Sequence, residues 1–331
     1  MPAFAQTPEP SADSDVGDLL SVGQSLFDTY APPEIKAEFA FPTREQWDAF
    51  AARLEKTRET GSLAELAAFE PEARAALLAL RVLPEYADYA DWLASRLDEI
   101  GAAKDAQNQP VPPPVPGPPT PPKPAPPTPA PSPKPPSPTP PPSPSPAPAP
   151  KPTPTSTAVP LYDLWVTRVR SHPRPARADE FLPQLKKAFA AEGIPEALVW
   201  LAEVESTFNP RARSPAGARG LFQFMPITAK DQGLDLIPFD ERTNPDKSAR
   251  AAARLLRQLH EKFGSWPLAI AAYNAGEGRI RRTLKAQSAT TFAAISDALP
   301  TQTRLYVPKV LATVAARENL DPATLPSPAK R

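Results

Sequence analysis

The chain has 331 residues, of which 51 are proline and two are histidine; it has no cysteine and a formal net charge of zero. Proline at roughly three times its usual ~5 % excludes one uniformly packed globule, because proline removes backbone donors and breaks helix interiors. The lack of cysteine excludes disulfides, thiolate metal sites, a cysteine nucleophile and lipid attachment at an N-terminal cysteine. His172 and His260 alone offer neither a His-rich metal site nor a Ser-His-Asp triad.

The zero charge is an average over unlike segments. Residues 1–109 carry about 9 basic and 20 acidic residues, 110–160 carry three lysines and no acid, and 161–331 carry about 25 basic and 17 acidic residues. Such a split reads as separate modules with separate partners. The basic C-terminal half suits an anionic partner: nucleic acid, acidic lipid or a cell-wall polymer. No apolar run approaches the ~20 residues that span a bilayer.

In chain order, residues 1–16 read as a disordered N-terminus. Ala3-Phe4-Ala5 has the small-x-small form of a signal-peptidase site without the apolar segment that should precede it, as if an export signal had been trimmed or mis-started. Residues 17–106 read as an acidic helical module. Thr43-Arg44-Glu45-Gln46 and Ser62-Leu63-Ala64-Glu65 are capping boxes. Trp47, Phe50 and Leu54 recur at helical spacing, and Tyr86, Tyr89, Leu93, Leu97 and Ile100 form a second stripe. The module shows no catalytic signature. Residues 107–160 form a linker, with about 28 prolines at 110–160, expected to adopt a polyproline II spacer of ~3.1 Å rise per residue.

Residues 161–320 are helical again, and 321–331 read as a disordered tail. Leu182, Leu185 and Phe189 form one stripe. Asn244-Pro245 is an N-cap followed by an N1 proline, ahead of Ala252, Leu255, Leu256, Leu259 and Phe263. The whole chain is therefore expected to be mainly α, with at most a short hairpin around the glycines at 217–220.

The segment from Gly193 predicts a helix with Pro195 in its first turn, ending before Asn209-Pro210, with Glu205 in its last turn. The negative helix end and the apolar Leu198, Leu201 and Val204 would raise the Glu205 pKa, as a general acid requires. Glu203, about 200° around the helix, should face elsewhere. Physics alone leaves Glu205 open between a general acid and a surface or capping carboxylate. The stretch from Ser214 to Ala229 is turn-rich up to a helix starting at Pro226, and Gln223 and Met225 would share one side if it were extended. Ala272-Tyr273-Asn274-Ala275-Gly276 ends a further helix with polar groups and a flat ring suited to sugars.

Four motifs in order carry a resemblance: Glu205-Ser206-Thr207-Phe208-Asn209-Pro210, Gly217 through Pro226, Ala272 through Gly276, and Leu299-Pro300 through Thr303-Arg304-Leu305-Tyr306-Val307. Over about residues 178–318 the sequence resembles the Slt-type lytic transglycosylases, peptidoglycan-cleaving relatives of goose-type lysozyme, and in particular the membrane-bound lytic transglycosylase D subgroup. The resemblance implies a lysozyme-like C-terminal catalytic domain that acts on peptidoglycan glycan strands without cofactor or metal, in the periplasm or cell envelope. It implies that Glu205 is the single catalytic acid/base, that Ser206 supports it, and that Gln223 and Met225 contact the saccharide beside the scissile bond. Tyr273 and Asn274 would contact substrate from the opposite wall, with Tyr306 near the glutamate. One position departs: where the family often has Glu-Thr-Arg, Gln302 precedes Thr303-Arg304.

Two alternatives stand beside this reading. One is a hydrolytic muramidase on the same scaffold; the other is a non-catalytic wall-binding protein, which Gln302 favours. The acidic module would then recruit an envelope protein. Arg279, Arg281 and Arg282 cluster without any nucleic-acid motif, so no nucleic-acid partner is expected.

Overall fold

A computed structural model describes residues 44–81, 87–107, 159–214 and 216–330. The expectations for 1–16, for Thr43, for Tyr86, for the side chains of Trp47 and Tyr89 and for most of the linker lie outside the described residues. The described part is mainly helical, in agreement with the fold class read from the sequence. No helix among the described residues is long and apolar enough to cross a membrane.

Before the proline-rich stretch come α1 (Arg44–Thr60), α2 (Leu63–Ala67), α3 (Glu70–Arg81) and α4 (Ala87–Gln107). The Ser62 capping box forms as predicted: its hydroxyl accepts from the Glu65 N–H, and the Glu65 carboxylate accepts from the Ser62 N–H. After the stretch come α5 (Tyr162–Ser171), α6 (Ala178–Ala191), a 3-10 turn (Glu196–Trp200), α7 (Leu201–Ser206), α8 (Pro226–Asp231), α9 (Pro245–Phe263), α10 (Trp266–Ala275), α11 (Glu277–Ala286), α12 (Phe292–Ile295) and α13 (Thr301–Glu318). Asn244 caps α9 through the Lys247 N–H, with Pro245 at the first helical position. Around the glycines at 217–220 the hairpin reduces to isolated bridges, Arg213 with Arg219 and Arg219 with Phe224.

Two hydrophobic clusters organise these helices. The larger unites Leu182, Leu185 and Phe189 of α6, Trp200 and Leu201, Ala252 and Leu256 of α9, and Val307, Val310 and Val314 of α13. The smaller joins Phe50, Leu54, Leu93 and Ile100, from before the proline-rich stretch, to Leu164 and Trp165 of α5 and to Leu305 and Ala312 of α13. Helix α13 thus contributes residues to both clusters, which is why every residue from Leu305 to Ala315 is buried. The sequence divides these helices between two modules; in the structure those on either side of the proline-rich stretch belong to one compact unit.

The tail is a correction. Expected to be disordered, its described part, 321–330, is strapped to the surface. Asp321 caps a 3-10 turn at Pro322–Thr324. Trp266 Nε1 donates to Pro326 O at 3.0 Å, Arg257 Nη2 donates to Ala329 O at 2.8 Å, and the Ala329 N–H donates to Gly193 O at 2.7 Å. Side-chain donors from distant helices satisfy backbone carbonyls that a polar, proline-containing tail cannot satisfy itself.

Candidate active site

The expected continuous helix from Gly193 is a 3-10 turn followed by α7, with Pro195 as the flanking cap residue rather than in the first helical turn. Helix α7 closes with Thr207 and Phe208 at φ of 53° and 57°, ahead of Asn209-Pro210. Glu205 sits in the last turn, as predicted. Glu203 faces away and pairs with Arg317 at 2.7 Å.

The Glu205 carboxyl lies in a pocket of about 240 Å³. Gln223, Met225, Tyr273, Asn274 and Gln302 line it from the same half of the chain. Gln223 and Met225 reach it although the backbone is not extended: Gln223 stands in a turn at φ 47°, and its amide nitrogen donates to Gly220 O at 3.0 Å and Ala212 O at 3.2 Å. Tyr273 donates its hydroxyl to Phe222 O at 2.8 Å, pinning this loop to the end of α10. The Thr303 hydroxyl, from the first turn of α13, donates to Asn274 Oδ1 at 2.9 Å.

Ser206 and Tyr306 stand behind the lining. The Ser206 hydroxyl is buried and lies 2.9 Å from Leu221 O and 3.1 Å from Ala202 O, tying the helix end to the loop. The buried Tyr306 hydroxyl donates to Glu205 Oε1. These two residues hold the site together from within.

Burial raises the Glu205 pKa to about 7, against the opposing pull of the Tyr306 hydrogen bond and of the Arg96 and Arg58 charges. Burial also pushes Tyr306 and Tyr273 well above the ordinary tyrosine range, helped by the negative charge of Glu205, so both stay neutral donors. A carboxyl that titrates near neutrality can give a proton and take one back in the same cycle. No cluster of three or more His, Cys, Asp or Glu side chains able to hold a metal occurs among the described residues.

The sequence reading missed a third wall. Glu55 and Arg58 of α1 and Arg96 of α4 line the same pocket. A signal for them was present. Arg58 continues the Phe50–Leu54 stripe at the next helical position, and Arg96 follows Leu93 at i+3, so both charges fall on apolar faces. The buried Glu99 bridges them, with Oε1 accepting from Arg96 Nη1 at 2.6 Å and Oε2 at 3.4 Å from Arg58 Nε.

Comparison with known proteins finds similarity over the part of the chain that holds Glu205. Residues 184–296 match the family described as Transglycosylase SLT domain. The chain is 37 % identical over 142 residues to membrane-bound lytic murein transglycosylase D of Escherichia coli, covering 41 % of this chain and 31 % of that protein. It is 42 % identical over 117 residues to peptidoglycan transglycosylase gp16 of Escherichia phage T7, covering 34 % of this chain and 9 % of that protein. Among solved structures, an inactive mutant of lytic transglycosylase Slt from Pseudomonas aeruginosa aligns with a TM-score of 0.40 at 31 % identity, over 46 % of this chain and 26 % of that one. The chain thus spans less than a third of the length of these relatives. Over residues 184–296 the chain is similar to the transglycosylase SLT domain, and the proteins it resembles include lytic murein transglycosylases.

Proposed function

We propose that the chain is a peptidoglycan lytic transglycosylase that cleaves the β-1,4 bond between N-acetylmuramic acid and N-acetylglucosamine. The observation that carries this reading is the Glu205 carboxyl, raised by burial to titrate at about 7, in a pocket that Tyr273 and Asn274 also line. Most glycosidases work with a pair of carboxylates, and substrate-assisted enzymes are the exception. Here Glu205 gives its proton to the glycosidic oxygen as the bond from that oxygen to C1 of the muramic residue breaks. The N-acetyl carbonyl of the substrate stabilises the positive C1. The Glu205 carboxylate then takes the proton of the C6 hydroxyl as that oxygen closes on C1. A 1,6-anhydro ring forms, no water is consumed, and Glu205 ends protonated as it began. Gln223, Met225, Tyr273 and Asn274 orient the sugar. The substrate places this activity in the cell envelope, in the periplasm of a two-membrane cell.

A second reading rests on Glu55, which brings another carboxylate to the pocket. If Glu55 activates water, the chain is a hydrolytic muramidase. Mass spectrometry of products from purified peptidoglycan separates the two. Anhydromuramic ends, lost in Glu205→Gln with fold retained, support the transglycosylase. Reducing ends that depend on both Glu205 and Glu55 support the muramidase. Substantial activity in a folded Glu205→Gln chain overturns both, and sedimentation with peptidoglycan in the absence of any soluble product leaves a wall-binding protein.

A further inference from the structure

The arginines of the wall supplied by α1 and α4 are not used by the chemistry above. Arg58 is 2 % exposed, yet it lines the Glu205 pocket. Its Nη1 donates to Glu55 Oε1 at 2.7 Å and its Nε is ion-paired with Glu99 Oε2 at 3.4 Å, while its buried Nη2 makes no hydrogen bond among the described residues. A guanidinium prefers two parallel bonds to one carboxylate. Arg58 instead holds Glu55 by a single bond, and the Glu55 side chain is 43 % exposed. Burying a donor without an acceptor is costly, so an Nη2 held this way beside a pocket is suited to an arriving acceptor. Arg96 adds a second positive charge on the same wall, fixed by its bond to Glu99. Burial opposes ionisation of Glu99, but Arg96 and Arg58 hold its carboxyl below the usual range.

The sugars of the proposed substrate differ in one respect that this wall can read. The muramic residue carries at O3 an acidic substituent, a lactyl group or the stem peptide attached to it; the glucosamine residue carries none. We propose that Arg58 and Arg96 form a carboxylate-binding subsite of the Glu205 pocket, which takes the acidic O3 substituent of a muramic residue and releases Glu55 from Arg58. The inference rests on the proposed substrate and assigns to the N-terminal helices the task of setting the register of the strand over Glu205.

The test is a binding measurement on the full chain carrying Glu205→Gln, so that no turnover intervenes. The probes are peptide-free tetrasaccharides of alternating N-acetylglucosamine and N-acetylmuramic acid, the same fragments with their carboxylates converted to carboxamides, and peptide-bearing fragments. Calorimetry should give about tenfold weaker binding to the carboxamides, the usual size of a lost charge-assisted pair. Arg58→Gln and Arg96→Gln should erase that difference by weakening binding to the carboxylate form, and Arg96→Lys should restore part of it. A preference confined to peptide-free fragments assigns the carboxylate to the lactyl group; tighter binding of peptide-bearing fragments, lost in the same variants, assigns it to the stem. Equal affinity for the acid and its carboxamide, with peptide-bearing fragments bound no better, overturns the subsite. So does an equal loss for both forms in the arginine variants, which marks a merely structural role. The probe comparison needs neither arginine changed, so a variant that fails to fold does not shelter the proposal. Product analysis tests the activity separately: a chain that yields no product but discriminates the probes keeps the subsite and loses the reaction.

Discussion

Tyr306 and Glu205 lie 101 residues apart in the chain and share a hydrogen bond in which the phenol donates to the carboxyl. The bond favours the ionised carboxylate and so offsets part of the burial that drives the Glu205 pKa up to about 7. Activity that needs protonated Glu205 should therefore fall as pH rises through about 7. Tyr306→Phe removes the offset and should move that descending limb to higher pH, with a lower plateau rate because the carboxyl is less firmly placed. Rates of product release across about pH 5 to 9 would decide this. An unmoved limb would mean that another group controls the profile.

The same titration has a consequence for stability. The native pKa of Glu205, about 7, exceeds its ordinary value of 4.5. Below the lower value the carboxyl is protonated in both states, and its favourable neutral burial counts in full. As pH rises through the native value, the unfolded chain has long since ionised and that contribution is lost. Glu205→Gln stays neutral throughout. It should gain on the wild type between about pH 4.5 and pH 8, by up to about 3 kcal/mol. Urea denaturation at the two ends of that range checks it; a difference independent of pH would show that Glu205 titrates as an ordinary carboxyl.

What could be read from the sequence was local. Glu205 could be placed because Asn209-Pro210 fixes where its helix ends, and Tyr273 and Asn274 because Gly276 ends theirs at φ 85°. The structure differs where the outcome depends on distant partners. Gln223 and Met225 would share a side if their stretch were extended, but the Gln223 amide bonds to Gly220 O and Ala212 O hold it in a turn. The tail reads as disordered from its own residues, whereas its anchors, Trp266 and Arg257, lie about 60 to 70 residues away. Arg58 and Arg96 were legible as charges on apolar stripes, yet their meeting with Glu205 depends on packing across the proline-rich stretch, which no local pattern encodes.

Gly220 controls the loop that carries Gln223. Its φ is +81°, and a Cβ built there would stand 1.8 Å from Arg242 O. That carbonyl belongs to a well-fixed residue: Arg242 is 6 % exposed, and its Nη1 donates to Phe224 O at 3.0 Å and Gly217 O at 2.9 Å. Gly220→Ala should therefore cost at least about 3 kcal/mol and displace Gln223 from the pocket. Gly217 has φ +88° but nothing within 4 Å of its Cβ position. Gly217→Ala should cost only the ~1–2 kcal/mol of a left-handed L-residue. Thermal or urea unfolding of the two variants separates clash from backbone strain; equal losses would mean that the loop yields freely at Gly220.

Proteolysis in the proline-rich stretch should leave a complex rather than two independent fragments. Leu54, Leu93 and Ile100 are fully buried in a cluster with Trp165 and Leu305 from the other side of the stretch. Polar contacts ring that cluster. Lys309 Nζ lies 3.0 Å from Asp98, Arg168 donates to Asp98 at 2.9 Å, and Thr301 donates to Gly61 O at 2.5 Å. Burying one large aliphatic side chain contributes roughly 1.5–3 kcal/mol, so several together exceed what holding two fragments at micromolar concentration requires. After cleavage at a protease site introduced near residue 130, the pieces should co-elute on gel filtration and keep activity on peptidoglycan. Leu305→Asp puts a charge into the shared cluster and should release the N-terminal piece. Because Arg58 and Arg96 leave the pocket with it, the remaining fragment should bind muramic carboxylates no better than their carboxamides. Separation of the unmutated pieces at moderate salt would instead show that the proline-rich stretch is what keeps these helices beside Glu205.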